Sequence, residues 1–170
     1  VLLVDADMRK PRLHTVFNKE NEVGLSNFLS VQAKLEEVIQ QTGIEHLSFI
    51  PGGLIPPDPS ELLDSNKMKE LLTLARAKFD FVLIDTPPMA ILADAIIVSR
   101  LVDGVIMVAE VGKTSRNAFT HVCKILKDAK VRLLGAFLNK VSINSPDHYY
   151  YSTYYSHYAP QDSFPKPKTP

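Results

Sequence analysis

Phe81-Val82-Leu83-Ile84-Asp85-Thr86-Pro87-Pro88 is the stretch whose reading decides the fold. Its four leading apolar residues have the composition of a strand buried on both faces. Asp85 then stands at the strand's carboxyl end, where open parallel sheets hold their ligands. Pro87 and Pro88 stop the ladder, because proline has no N–H to donate. Many nucleotide-binding folds present an acid to Mg2+ on such a short strand. An ordinary buried strand followed by a turn aspartate would read the same way, so this stretch alone leaves both open.

A second acid-tipped strand opens the chain. Val1 to Val4 are apolar and run into Asp5-Ala6-Asp7-Met8-Arg9. Two carboxylates with a cation close behind suit a metal-phosphate site, where the acids hold Mg2+ or its waters and arginine offsets charge. A solvated loop with a local Asp–Arg pair is the competing reading. Because the chain starts inside a strand, it reads as a fragment of a longer protein, with part of what pairs with that strand missing.

Between these strands the spacing predicts short helices over Pro11–Phe17 and Gly24–Leu29. A third is expected on Leu35, Val38 and Ile39, ending near Gly43. A strand is expected over Leu47–Ile50. In the proline-rich loop 51–59, Asp58, Pro59 and Glu61 form an N-cap, a first helical proline and a capping-box acid, so a helix begins at Pro59. Residues 65–78 carry Met68, Leu71, Leu72 and Ala75 on one face, with Phe79 just beyond. After Pro88 the chain predicts a helix near Ala95–Leu101, a buried strand over Gly104–Ala109, an amphipathic helix over Thr114–Ala129 and a last strand over Arg132–Leu138, ending at Asn139-Lys140. Strands alternating with helices give an α/β fold with a mainly parallel sheet. Right-handed crossovers place Asp5, Asp7, Asp85 and Asn139 along one edge of it.

Gly112-Lys113-Thr114 imitates the end of a phosphate loop, but G-x-x-x-x-G-K-[ST] needs glycine at 107, which is Met107. Lys113 reads as a surface residue, and no phosphate loop occurs in the 170 residues. Apolar residues make up 45% and charged residues 22%, as in a globular chain, and the net charge is zero, which gives no electrostatic case for nucleic acid. A single cysteine, Cys123, excludes an internal disulfide framework and reads as a core thiol among Phe119, Val122 and Leu126. No apolar run approaches a membrane span.

Residues 1–141 form one domain in this reading, and 142–170 a flexible tail. Tyr149, Tyr150, Tyr151, Tyr154, Tyr155 and Tyr158 are all six tyrosines of the chain. They sit among Ser, Asn, Asp and Pro without helical period. A sticky low-complexity segment and a strand that pairs with a partner are two readings; a cluster of phosphate acceptors is the third. Full phosphorylation would add roughly −9 to −12 charge units, at about −1.5 to −2 per site.

Leu2-Leu3-Val4-Asp5-Ala6-Asp7-Met8-Arg9 resembles the second nucleotide motif of bacterial tyrosine kinases, and Val82 to Pro88 resembles their Walker B form. The tyrosine cluster and Pro56-Pro57-Asp58-Pro59-Ser60-Glu61-Leu62-Leu63 are similar to theirs as well. The resemblance implies a three-layer P-loop-NTPase-like domain, here without its first strand and phosphate loop, related to partition and division ATPases. It implies ATP and Mg2+ as cofactors and phosphorylation of the tyrosine tail of a neighbouring subunit in a ring-shaped homo-oligomer. A membrane polysaccharide co-polymerase, fused or separate, would be the activator, and a cognate tyrosine phosphatase the antagonist. Capsular or exopolysaccharide production would be the regulated process, and the cytoplasmic face of the plasma membrane the location. Asp85 would hold Mg2+ through water with help from Asp7, and Asp5 would orient or deprotonate the tyrosine hydroxyl. Asn139 would read the adenine, and Arg9 would contact phosphate or a neighbouring subunit. The 170-residue piece alone is expected neither to bind ATP tightly nor to autophosphorylate. A hydrolysing partition- or division-type ATPase and a non-catalytic module phosphorylated by another enzyme are the alternatives.

Overall fold

The structure is a computed structural model and describes residues 1–141; the tyrosine-rich segment expected as a tail lies outside the described residues. The elements are β1 (Leu2–Asp5), α1 (Leu13–Val16), α2 (Leu25–Leu29), α3 (Leu35–Val38), β2 (Gln40–Gln41), β3 (Ser48–Ile50), α4 (Pro59–Leu63), α5 (Asn66–Lys78), β4 (Val82–Asp85), α6 (Asp94–Ser99), β5 (Val105–Glu110), α7 (Arg116–Asp128) and β6 (Leu133–Asn139). Strands alternate with helices, and the pairings β1–β3, β1–β4 and β5–β6 are all parallel. The α/β class with a mainly parallel sheet is therefore as expected.

β1 occupies the centre of a four-stranded sheet ordered β2-β3-β1-β4. Its ladder with β4 sets Leu2 beside Val82 and Asp5 beside Asp85. The Ala6 N–H extends that ladder by donating to the Asp85 carbonyl at 2.8 Å. The core gathers Leu2 and Val4 of β1, Ile50 of β3, Leu25 and Phe28 of α2, and Met68, Leu71 and Ala75 of α5. α5 presents those residues because they recur three and four apart. Its start is fixed by Ser65, whose hydroxyl accepts the Met68 N–H at 3.3 Å. The Asp58 carboxylate accepts the Glu61 N–H at 3.2 Å, with Pro59 first in α4, as the loop sequence predicts.

Four expectations are corrected. The strands do not form one sheet: β5 and β6 pair with each other only, and β4 ends the first sheet. Asn139 therefore lies on a different sheet from Asp5 and Asp85, because no ladder joins β4 to β5 among the described residues. The stretch 81–84 is not buried on both faces either. Val82 and Ile84 pack on the core, whereas Phe81 and Leu83 are 67% and 52% exposed. β5 is likewise exposed at Ile106 and Val108. A strand at the end of a sheet with one uncovered face has no neighbours to bury its alternate residues. Finally, α3 stops at Val38, and Gln40–Gln41 form an antiparallel edge strand on β3 in place of its last turn.

No helix among the described residues is long and apolar enough to cross a membrane. A concavity of about 420 Å3 lies between α7 and β6, lined by Arg116, Phe119, Phe137 and Leu138 among others, and none of the candidate acids lines it.

The burial contrast gives a direct expectation. Leu71→Ala empties a fully buried position and is expected to cost about 2–5 kcal/mol. Leu83→Ala on the open face of β4 is expected to cost under about 1 kcal/mol. Equilibrium urea unfolding of the two variants measures both.

Candidate functional site

Adjacent parallel strands that stop in register deliver their last residues to the same place. Asp5 and Asp85 are such a pair, and Asp7 follows on the loop leaving β1. Ala6 and Met8 are fully buried and hold that loop from inside, while Asp7 and Arg9 remain partly exposed. The structure thus brings Asp5, Asp7 and Asp85 to one sheet edge, as expected, while Asn139 ends β6 of the second sheet. The Asn139 side chain accepts the Lys140 N–H at 2.8 Å, next to the exposed Lys140–Glu110 pair.

The three acids are not equivalent. Asp5 is 1% exposed and its carboxylate is fully engaged. Oδ1 accepts the Asp7 N–H at 3.2 Å, and Oδ2 accepts those of Arg12 and Leu13, each at 3.0 Å. Arg12 and Leu13 open α1, so Asp5 supplies the acceptor that a local capping side chain would otherwise provide. Burial pushes the Asp5 carboxyl up; those three amides oppose the shift and the Asp7 charge adds to it. Asp85 is more open to solvent. Its carboxyl is also pushed up, first by desolvation and then by the charges of Asp5 and Asp7, against the Thr86 amide. Asp7 Oδ1 accepts the Lys10 N–H at 3.0 Å in a tight turn.

Sequence reasoning missed two residues that meet Arg9. Arg9 Nε donates to Asp94 Oδ2 at 2.7 Å, and Nη2 donates to Asp94 Oδ1 at 3.1 Å and to Ser60 Oγ at 3.0 Å. The Ser60 hydroxyl donates to Asp94 Oδ1 at 2.6 Å and closes the triangle. Hydrogen bonds from Arg9 hold the Asp94 carboxyl below the ordinary carboxylate range; burial opposes this and Ser60 assists. The available signal was an aspartate set in the apolar run Ile91-Leu92-Ala93-Asp94-Ala95-Ile96-Ile97, where an unpaired charge would be costly.

The acids at the sheet edge, Asp5, Asp7 and Asp85, offer oxygen donors, which suit a hard cation. No three acidic, histidine or cysteine side chains among the described residues lie close enough to cage a metal unaided. Mg2+ is commonly held by one or two carboxylates, waters and substrate phosphates, so the incomplete shell fits it. Asp7 and Asp85 are the carboxylates left accessible to it.

The family model described as an AAA domain matches residues 1–138. Over 154 residues the chain is 42% identical to the tyrosine-protein kinase YwqD of Bacillus subtilis (strain 168), covering 90% of this chain and 65% of that protein. The chain belongs to the AAA domain family, and its curated relatives are bacterial tyrosine kinases. The solved kinase domain of the Escherichia coli tyrosine kinase ETK superposes with a TM-score of 0.81 at 37% identity, covering 85% of this chain and 57% of that one. The septum site-determining protein MinD of Pyrococcus horikoshii, solved with Mg-ADP, gives 0.69 at 26% identity over 86% of this chain and 62% of that one. The α/β P-loop-NTPase-like fold expected of a bacterial tyrosine kinase is therefore present, and the chain spans about two thirds of the curated kinase's length.

The clustered acids set a pH expectation. Asp85 has a raised folded pKa, so the folded state binds that proton more tightly than the unfolded state. Its contribution to stability is complete below the unfolded value of about 3.9 and is lost as pH rises through the folded pKa. Asp85→Asn is therefore expected to raise the melting temperature at pH 7, with the gain vanishing as pH falls toward that unfolded value. Thermal melts of both proteins across that range measure it.

Proposed function

We propose that the protein is an ATP-dependent tyrosine autokinase that phosphorylates the Tyr149–Tyr158 cluster of a neighbouring copy. The observation that carries this reading is the register of Asp5 with Asp85, which sets Asp7 and Asp85 at one sheet edge in a chain of the tyrosine-kinase family. Phosphoryl transfer needs alignment and neutralisation of charge more than covalent participation by the protein. Mg2+, held by Asp7 and Asp85, would neutralise phosphate charge. The chain's own residues do the positioning. Asp5 ties the loop after β1 to the start of α1, which holds the Asp7 loop at the sheet edge where Asp85 ends β4.

Asp5 was expected to meet the tyrosine hydroxyl. Its three amide bonds and its burial favour a scaffold role, which leaves Asp7 and Asp85 to face the incoming hydroxyl. Asn139 as the adenine reader rests on resemblance alone. The same reading includes a ring of subunits at the cytoplasmic face of the plasma membrane, a polysaccharide co-polymerase as activator, an opposing tyrosine phosphatase, and control of capsule or exopolysaccharide export. Neutral net charge is consistent with having no nucleic-acid partner.

Phosphopeptide mapping of the full-length protein after incubation with Mg-ATP tests the proposal. Phosphate is expected on Tyr149 to Tyr158. Asp85→Ala and Asp7→Ala are each expected to lower its rate on the order of 10²–10³-fold. ATP hydrolysis with no phosphotyrosine would indicate a switch ATPase of the MinD kind. Phosphotyrosine that persists in Asp85→Ala without wild-type subunits would indicate another kinase.

A further inference from the structure

Arg9 is the conspicuous cation beside the acid cluster, and proximity alone would make it a phosphate ligand. Its hydrogen bonds point elsewhere. Nε and Nη2 are committed to Asp94 and Ser60. The Asp94 side chain is 1% exposed, against 37% for that of Arg9. A guanidinium that swung away toward a ligand would leave a buried carboxylate with the Ser60 hydroxyl and its own backbone amide but no counter-charge, and an unpaired buried charge is strongly unfavourable. The bidentate fork also fixes the plane of the arginine, which a single point contact would not.

The three residues join three separate pieces of chain. Arg9 is two residues past Asp7 on the loop leaving β1. Ser60 is in α4, and Asp94 opens α6, at the end of the loop that begins at Asp85. α4 and α6 pack on each other, so together they form a wall against which the Asp7 loop is drawn. Buried Met8 pins the same loop from the core side.

We infer that Arg9, Asp94 and Ser60 form a latch that positions the Asp7 loop against the loop following Asp85, which makes Arg9 a positioning residue and not a phosphate ligand. The inference rests on the reading of Asp7 and Asp85 as the Mg2+-holding pair. The latch itself stands on geometry that is independent of that reading.

Two measurements on the full-length protein separate the two. Amide hydrogen exchange reads the latch directly. Asp94→Asn and the milder Ser60→Ala are both expected to speed exchange over residues 7–13 by about tenfold, with α5 unchanged. Binding and kinetics read its consequence. Arg9→Gln, Arg9→Lys, Asp94→Asn and Ser60→Ala are expected to raise the Mg2+ concentration for half-maximal phosphorylation by about tenfold. The rate at saturating Mg2+ should change little, and affinity for ADP without metal should not change. The Arg9→Gln/Asp94→Asn double variant should be no worse than the worse single one. Unchanged exchange over residues 7–13 in both Asp94→Asn and Ser60→Ala overturns the latch. So does an Arg9→Gln protein that loses metal-free ADP affinity while Asp94→Asn and Ser60→Ala keep it. A wild-type protein without Mg2+-dependent phosphorylation sinks the kinase reading, and the exchange measurement still decides the latch.

Discussion

β1 is hydrogen-bonded on both sides, and most of the molecule is placed by that fact. A slip of one residue in its parallel ladder with β4 would turn Leu2 and Val4 out of the core, so their burial guards the observed register against that slip. That register puts Asp5 against Asp85. The acids at the sheet edge therefore follow from burying two aliphatic side chains. The same strand carries the chain directly into Ala6 and Met8, whose burial extends the constraint past the end of the ladder to Asp7 and Arg9.

Crowding carboxylates this way carries an electrostatic cost, and the two strand-end acids meet it differently. Asp5 is withdrawn from water and stabilised by three backbone N–H groups, a local arrangement that needs nothing from outside. Asp85 keeps access to solvent and feels the charge of its neighbours. The first behaves as part of the frame, and the second remains free to engage a ligand. Two aspartates that look interchangeable at the tips of two similar strands are thus separated by the path of the chain after each. Pro11 and α1 fold back over Asp5, whereas Thr86 and the two prolines lead away from Asp85.

Much of this was legible in the sequence wherever the signal was local. The Asp58-Pro59 cap, the face of α5 and the acids at strand ends are written in neighbouring residues, and the structure has them as expected. What was not legible depends on distant partners. Arg9 and Asp94 are 85 positions apart and Arg9 and Ser60 are 51 apart, and no local pattern announces their contact. Gln40 and Gln41 have no apolar alternation, so their strand exists only because β3 offers an edge. The burial of 81–84 was inferred from composition, but composition reports what a strand could bury and not which neighbours surround it. The expected single sheet that would carry Asn139 beside the acids failed for the same reason: alternation of strands and helices does not say which strands pair.

β4 ends its sheet with Phe81 and Leu83 turned to solvent, and it carries no lysine and no bulge to discourage another strand. Only Pro87 and Pro88, just beyond it, interrupt the edge. Native proteins usually blunt such edges, because unpaired backbone groups beside exposed apolar side chains recruit further strands. A further strand laid along β4 would satisfy its free backbone groups and continue the sheet beyond Asp85.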